Sequence, residues 1–271
     1  TLKNGDTIKI ILLDNKGDKV ETANATTRLI SSDNVVAILG ALTSTNTAQT
    51  IAIADKKKIP VIAPVATNDK LTEKREFANR VCFTDSFQGE VVARFAKAQG
   101  YKTAVVIVDQ SQVYSIGLSK AFETAFKNDG GQILKSIKVT SGDKDFKAVV
   151  SQIKETNPDF LFLPLYHPEA SMIARQSKQL GLDKPMFSGD GVANQTFIDL
   201  GGESINGYMF TDFFDYTNPP SQKSAEFIAY HEKETGICRQ QTTYARTQSS
   251  PFCCRFFFFF FKQKTAYEIS W

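Results

Sequence analysis

The chain has 271 residues, 42% of them hydrophobic, which is enough to bury a sizeable core and fits two lobes better than one. Its formal charge of +3 comes from the end of the chain: five of the 32 basic residues and one of the 29 acidic ones lie from Ile237 onward. The remaining 27 against 28 leave the body at −1, and nothing in it suggests a basic nucleic-acid-binding patch.

The four cysteines, three of them after Ile237, follow neither a disulfide framework nor a zinc spacing, and no apolar run reaches membrane-spanning length. In chain order, residues 7–13 read as a strand ended by Asp14-Asn15-Lys16-Gly17-Asp18, and 20–31 as a helix with Val20, Ala23, Thr27 and Ile30 on one face. Residues 35–39 read as a buried strand. The hydroxyl-rich turn Gly40-Ala41-Leu42-Thr43-Ser44-Thr45-Asn46-Thr47 follows, and then a helix over 50–57. Residues 60–63 form a short strand before Pro64-Val65-Ala66-Thr67-Asn68, and 71–80 is polar and fits neither period.

The alternation then restarts. Val91, Val92, Phe95 and Ala96 mark a helix face ending at Gly100, and 103–108 is a β-branched strand. Leu118, Ala121, Phe122, Ala125 and Phe126 mark the next helix. Strands at 132–137, 159–163, 185–187 and 208–211 alternate with helices at 145–156, 169–180, 194–200 and 224–235. Strands alternating with helices predict parallel sheets covered on both faces, and the polar gap at 71–80 favours two sheets over one. Six phenylalanines at 256–261 fit no period. With the Lys262-Gln263-Lys264-Thr265 that follows, they read as translated homopolymer and adapter sequence, so 237–271 reads as a foreign tail.

Four strand-end turns carry the chemistry. The first two offer the Ser44 and Thr67 hydroxyls with backbone N–H groups at Val65 and Ala66, a set suited to a small carboxylate; the bland alternative is ordinary helix capping and turn chemistry. The third, Leu165-Tyr166-His167-Pro168-Glu169, places Tyr166 where it stacks on a ligand or serves as a capping turn. In the fourth, Ser188-Gly189-Asp190-Gly191, the acid is either a counter-charge to an ammonium or simply solvated.

Catalytic signatures are missing: only His167 and His231 exist, and there is no nucleophile elbow, Walker loop or H-E-x-x-H. Gly189-Asp190-Gly191 begins like a dinucleotide loop, but Asn194 stands at the third glycine position and the acid would repel a pyrophosphate. The sequence therefore predicts no enzyme, no cofactor and no metal.

These segments, together with Asp85-Ser86-Phe87-Gln88-Gly89, Tyr114-Ser115-Ile116-Gly117 and Gly142-Asp143-Lys144-Asp145-Phe146, occur in one order. That order resembles the substrate-binding proteins of branched-chain amino-acid (Leu/Ile/Val) ABC transporters, over residues 1 to about 236. The resemblance implies a type I periplasmic-binding-protein fold. One lobe would comprise 1–85 and 209–236 and the other 86–208, joined by crossovers, with an amino acid captured between them and delivered to a membrane permease. It also implies that Ser44 and Thr67 hold the carboxylate, with Val65 and Ala66 beside it. Asp190 would pair with the ammonium, and Tyr114 and Tyr166 would be second-lobe contacts.

Family members often carry Glu at the position of Asp190, which implies an ammonium set deeper or reached through water. The protein would be a periplasmic or extracellular monomer, lipid-anchored in a Gram-positive cell, that binds no nucleic acid. The alternatives are an amide, urea or aromatic-acid binder of the same fold, or the sensing domain of a receptor. The family's first strand and helix would precede Thr1, and its last part would be replaced by the tail. The first sheet would then lack a strand, and its uncovered apolar faces would lower stability.

Overall fold

The computed structural model describes residues 5–213, 219 and 221–235, so the reading of the tail from Ile237 lies outside the described residues. The described residues form two compact units, one of residues up to Phe87 with Gln112–Leu118 and one of residues 88–111 with those from Ser119.

In the first unit, helix α1 (Lys19–Ser31) starts where Asp18 accepts hydrogen bonds from Val20 N and Glu21 N at 2.7 and 2.9 Å. Two first-turn donors that lack intrahelical partners are satisfied in this way. Strand β1 (Ile38–Leu39), helix α2 (Ser44–Ala54), strand β2 (Val61–Ala63) and strand β3 (Ala78–Arg80) follow. The three strands are parallel in the order β1-β2-β3, and Ile38, Val61, Ala63 and Ala78 pack with Ile51 and Ala54 of α2 in the core.

Two expectations are corrected here. Residues 7–13 form no strand: none of the described strands pairs with them, and Ile8, Ile10 and Leu12 are 65%, 83% and 90% exposed. An apolar run supplies the side chains of a strand but not the neighbour whose N–H and C=O groups complete its ladder. The opposite holds at 71–80, where the unassigned polar stretch contains β3. Its short pairing with β2, from Val61↔Ala78 to Ala63↔Arg80, is set by tertiary context rather than by a local period.

The second unit contains most of helix α3 (Asp85–Ala98) and of helix α4 (Val113–Asn128), each of which begins in the first unit. Between and after them come β4 (Thr103–Asp109), β5 (Gln132–Val139), α5 (Lys147–Thr156), β6 (Phe160–Phe162), α6 (His167–Gln179), β7 (Met186–Ser188), α7 (Gln195–Gly201), β8 (Met209–Phe210) and α8 (Gln222–Thr235). All neighbouring strands are parallel, in the order β5-β4-β6-β7-β8.

Strand alternation covers both faces of this sheet. Val105, Ile107, Leu161 and Leu163 meet Phe146, Val150, Ile153 and Ile173 on one side. On the other, Phe160, Phe162 and Phe187 meet Phe95, Phe122 and Phe126, with ring centroids as close as 4.2 Å for Phe122 and Phe162. Gly89 of α3 lets α4 approach: a Cβ there would lie 2.5 Å from Phe122 N. Among the described residues, no helix is long and apolar enough to cross a membrane.

Candidate functional site

The hydroxyls of the turn after β1 are assigned one by one. Thr43 caps α2 by accepting from Asn46 N, and Thr47 Oγ1 donates back to the carbonyl of Ala41 at 3.1 Å. Thr45 Oγ1 donates to Gln112 Oε1 at 2.8 Å and accepts from Val113 N at 3.0 Å, so it fixes the start of α4. Ser44 is different. Its buried Oγ accepts from Asn68 N at 3.3 Å, and its own proton goes to no partner among the described residues.

Asn68 N belongs to the turn after β2, so this one bond brings the two sequence-predicted turns of the first unit together. In that second turn Val65 is half-buried, while Ala66 and Thr67 are buried at 2% and 1% exposure. Thr67 Oγ1 is buried with no hydrogen-bond partner among the described residues. Asn68 Nδ2 donates to Asp85 Oδ2 at 3.3 Å and to the Val113 carbonyl at 3.1 Å, which locks the turn against the starts of α3 and α4. Gly117 is required there, because a Cβ would lie 2.1 Å from Asn68 Nδ2 and 2.7 Å from Asp85 Oδ2. Tyr114, 2% exposed, lies in the stretch Gln112–Leu118 that clusters with this unit.

Tyr166 and Asp190 belong to the second unit, at the ends of neighbouring strands β6 and β7. Tyr166 is half-buried at the N-cap of α6. The next residue, His167, lies 3.2 Å from Asn194 Nδ2, and burial lowers its pKa against the opposing pull of Glu169. Asp190 opens a short 3-10 turn, with Gly189 before it in extended backbone.

The side chain that sets Asp190 is Gln88, a residue sequence reasoning quoted within a motif without giving it a role. Gln88, 1% exposed, donates from Nε2 to Asp190 Oδ1 at 2.8 Å and accepts from Asp190 N at 3.1 Å. Thr211 Oγ1 also donates to Gln88 Oε1, at 2.5 Å. The amide thus grips both the carboxylate and the backbone of the acid. A separation of 102 positions leaves no local signal for this pairing. Among the described residues, no group of three or more His, Cys, Asp and Glu side chains is arranged to hold a metal ion.

Two α/β units, each with polar turns at the carboxyl ends of parallel strands, have the architecture of a two-unit solute-binding protein. The chain belongs to the periplasmic binding protein family, whose model matches residues 3–248 and so runs past Gly236. It is 28% identical over 247 residues to the Leu/Ile/Val/Thr-binding protein of Salmonella typhimurium, covering 90% of this chain and 67% of that one.

Among solved structures, the leucine binding protein LivK of Thermotoga maritima is similar at 37% identity and a TM-score of 0.84. The match covers 86% of this chain and 67% of that one. The branched-chain amino acid transporter substrate binding protein LivJ of Streptococcus pneumoniae, solved with isoleucine, is similar at 30% identity and a TM-score of 0.80, with the same coverage. This chain therefore spans about two thirds of the length of these relatives, which are binding proteins.

Proposed function

We propose that this chain captures a branched-chain or related aliphatic amino acid outside the cytoplasm and passes it to an ABC permease, as a monomer and without catalysing a reaction. The observation that carries the reading is Thr67 Oγ1, a buried hydroxyl with no partner among the described residues. Leaving such a group unsatisfied costs about 1–3 kcal/mol, and an arriving acceptor removes that cost. The undirected proton of Ser44 lies one hydrogen bond from the same turn, and two neutral donors suit a carboxylate. Asp190 supplies the negative charge for an ammonium, held in place by Gln88. A zwitterion matches both sets, and the relatives named for leucine, isoleucine and valine support an aliphatic side chain.

The test is a thermal-shift screen of the full chain against the twenty amino acids. A selective rise with leucine, isoleucine or valine is expected, reaching about 2.7 kcal/mol of stabilisation at a hundredfold excess over Kd. A chain that shifts with benzoate, urea or an amide, and with no amino acid, overturns the zwitterion reading.

A further inference from the structure

Arg80, the last residue of β3, lies against the turn that carries Thr67. Its Nη1 donates to the carbonyls of Thr67 and Ala66 at 2.8 and 3.4 Å. Nη2 donates to the carbonyl of Asp69 at 2.9 Å and to Thr72 Oγ1 at 2.8 Å, and Nε donates to Thr72 Oγ1 at 3.2 Å. The guanidinium is therefore fully engaged, yet every acceptor is neutral, and Arg80 forms no ion pair among the described residues. Cys82 Sγ also donates to the Ala66 carbonyl, at 3.4 Å.

A trans peptide holds its C=O and N–H antiparallel. With the carbonyls of Ala66 and Thr67 turned to Arg80, the N–H groups of Thr67 and Asn68 must point away from it. The second is seen to do so, since Asn68 N reaches Ser44 Oγ at 3.3 Å. The N–H of Thr67 therefore opens to the side that holds the Ser44 hydroxyl, and among the described residues nothing accepts from it. The peptide dipoles present their negative ends to the cation and their positive ends to the opposite side. The field of the guanidinium and the fields of the dipoles thus add where an anion would sit.

We infer that Arg80 is a positioning residue for the ligand's carboxylate. It fixes the peptide planes of the turn and supplies, from behind them, the positive charge that the neutral donors lack. This inference rests on the reading of the turn as a carboxylate site.

The experiment measures leucine affinity of the full chain by calorimetry for the unaltered protein, Arg80→Lys and Arg80→Gln, together with the melting temperature of each without ligand. Lys keeps the charge and loses the fork; Gln keeps two donors and loses the charge. The expected result is a loss of about tenfold or more for Arg80→Gln, with Arg80→Lys recovering most of it. A purely structural clamp predicts instead that both variants lose affinity alike, in step with their melting temperatures, and that result overturns the charge role. If Arg80→Gln does not fold, Arg80→Lys decides alone: affinity near that of the unaltered chain at a lowered melting temperature supports the inference, and abolished binding in a folded protein overturns it. If the unaltered chain binds benzoate and no amino acid, the functional reading fails while the inference is tested by the same series with benzoate. A chain that binds neither removes the carboxylate site and this inference with it.

Discussion

The buried Thr67 hydroxyl, with no partner among the described residues, gives a test in which stability and binding should move in opposite directions. Thr67→Val keeps the volume and removes a buried hydroxyl that has no partner among the described residues. Unfolding in urea should then show unchanged or slightly raised stability, while leucine affinity falls by about tenfold. A variant that loses stability without losing affinity would assign Thr67 to the core. Asp190→Asn is a second test, because the Asn carbonyl oxygen can still accept from Gln88 Nε2 as the charge goes. Calorimetry should show a loss of roughly 2–5 kcal/mol for leucine, and an unchanged Kd removes Asp190 from the site. That Ser44, Thr67 and Asp190 stand in turns after parallel strands was legible in the sequence, because apolar runs ending in hydroxyls or a glycine-flanked acid mark strand ends. Arg80 and Gln88 were not, since what marks them is the partners they reach: carbonyls 11 to 14 positions away and an acid 102 positions away.

At the scale of elements, the strands of the second unit were legible because β-branched and aromatic runs coincide with full burial, as at residues 104–107 and 160–162. What the sequence could not convey is how strand ends are tied. Asp159, just before β6, accepts from Lys102 N and Thr103 N at 2.7 and 2.8 Å, and its own N–H donates to the Thr103 carbonyl at 3.1 Å and to Thr103 Oγ1 at 3.0 Å. The backbone bond from Lys102, more than the others, holds the Asp159 carboxyl below the usual carboxylate range. A carboxyl with a depressed folded-state pKa contributes stability above its unfolded value, and that contribution is lost as pH falls through the folded value. The group is half-buried at the surface, so the effect is small and weakened by salt. Melting temperatures of the unaltered chain and Asp159→Asn should therefore differ most near pH 6 and converge below about pH 3. A difference that stays constant across that range would show that the ionised form has no special role.

For the molecule as a whole, the two units are unequally built. The second has a five-stranded sheet whose central strands β4, β6 and β7 are largely buried on both faces, with Ala104, Val105, Val106 and Ile107 at 0% exposure. The first has three strands of two or three residues, and it leaves Ile10, Leu12, Val36 and Leu39 at 83%, 90%, 87% and 76% exposure. Local opening is easiest where few apolar groups are covered and the hydrogen-bonded ladders are short. Native-state hydrogen exchange should therefore find the slowest amides at 104–107 and 160–162, with those of 38–39, 61–63 and 78–80 exchanging sooner. Saturating leucine should slow exchange within 65–68, because a ligand that binds only the folded turn adds its binding free energy to the cost of opening it. The two parts of this expectation fail separately. A single common exchange rate across both sheets would refute the inequality of the units, whereas protection at 65–68 that does not respond to leucine would refute the ligand turn. The inequality also bears on how binding is read, since a ligand that contacts the proposed turn of the weaker unit would stabilise the part of the chain that opens first. If the proposed carboxylate turn binds the ligand, a thermal-shift screen would report on that turn before it reports on the core of the second sheet.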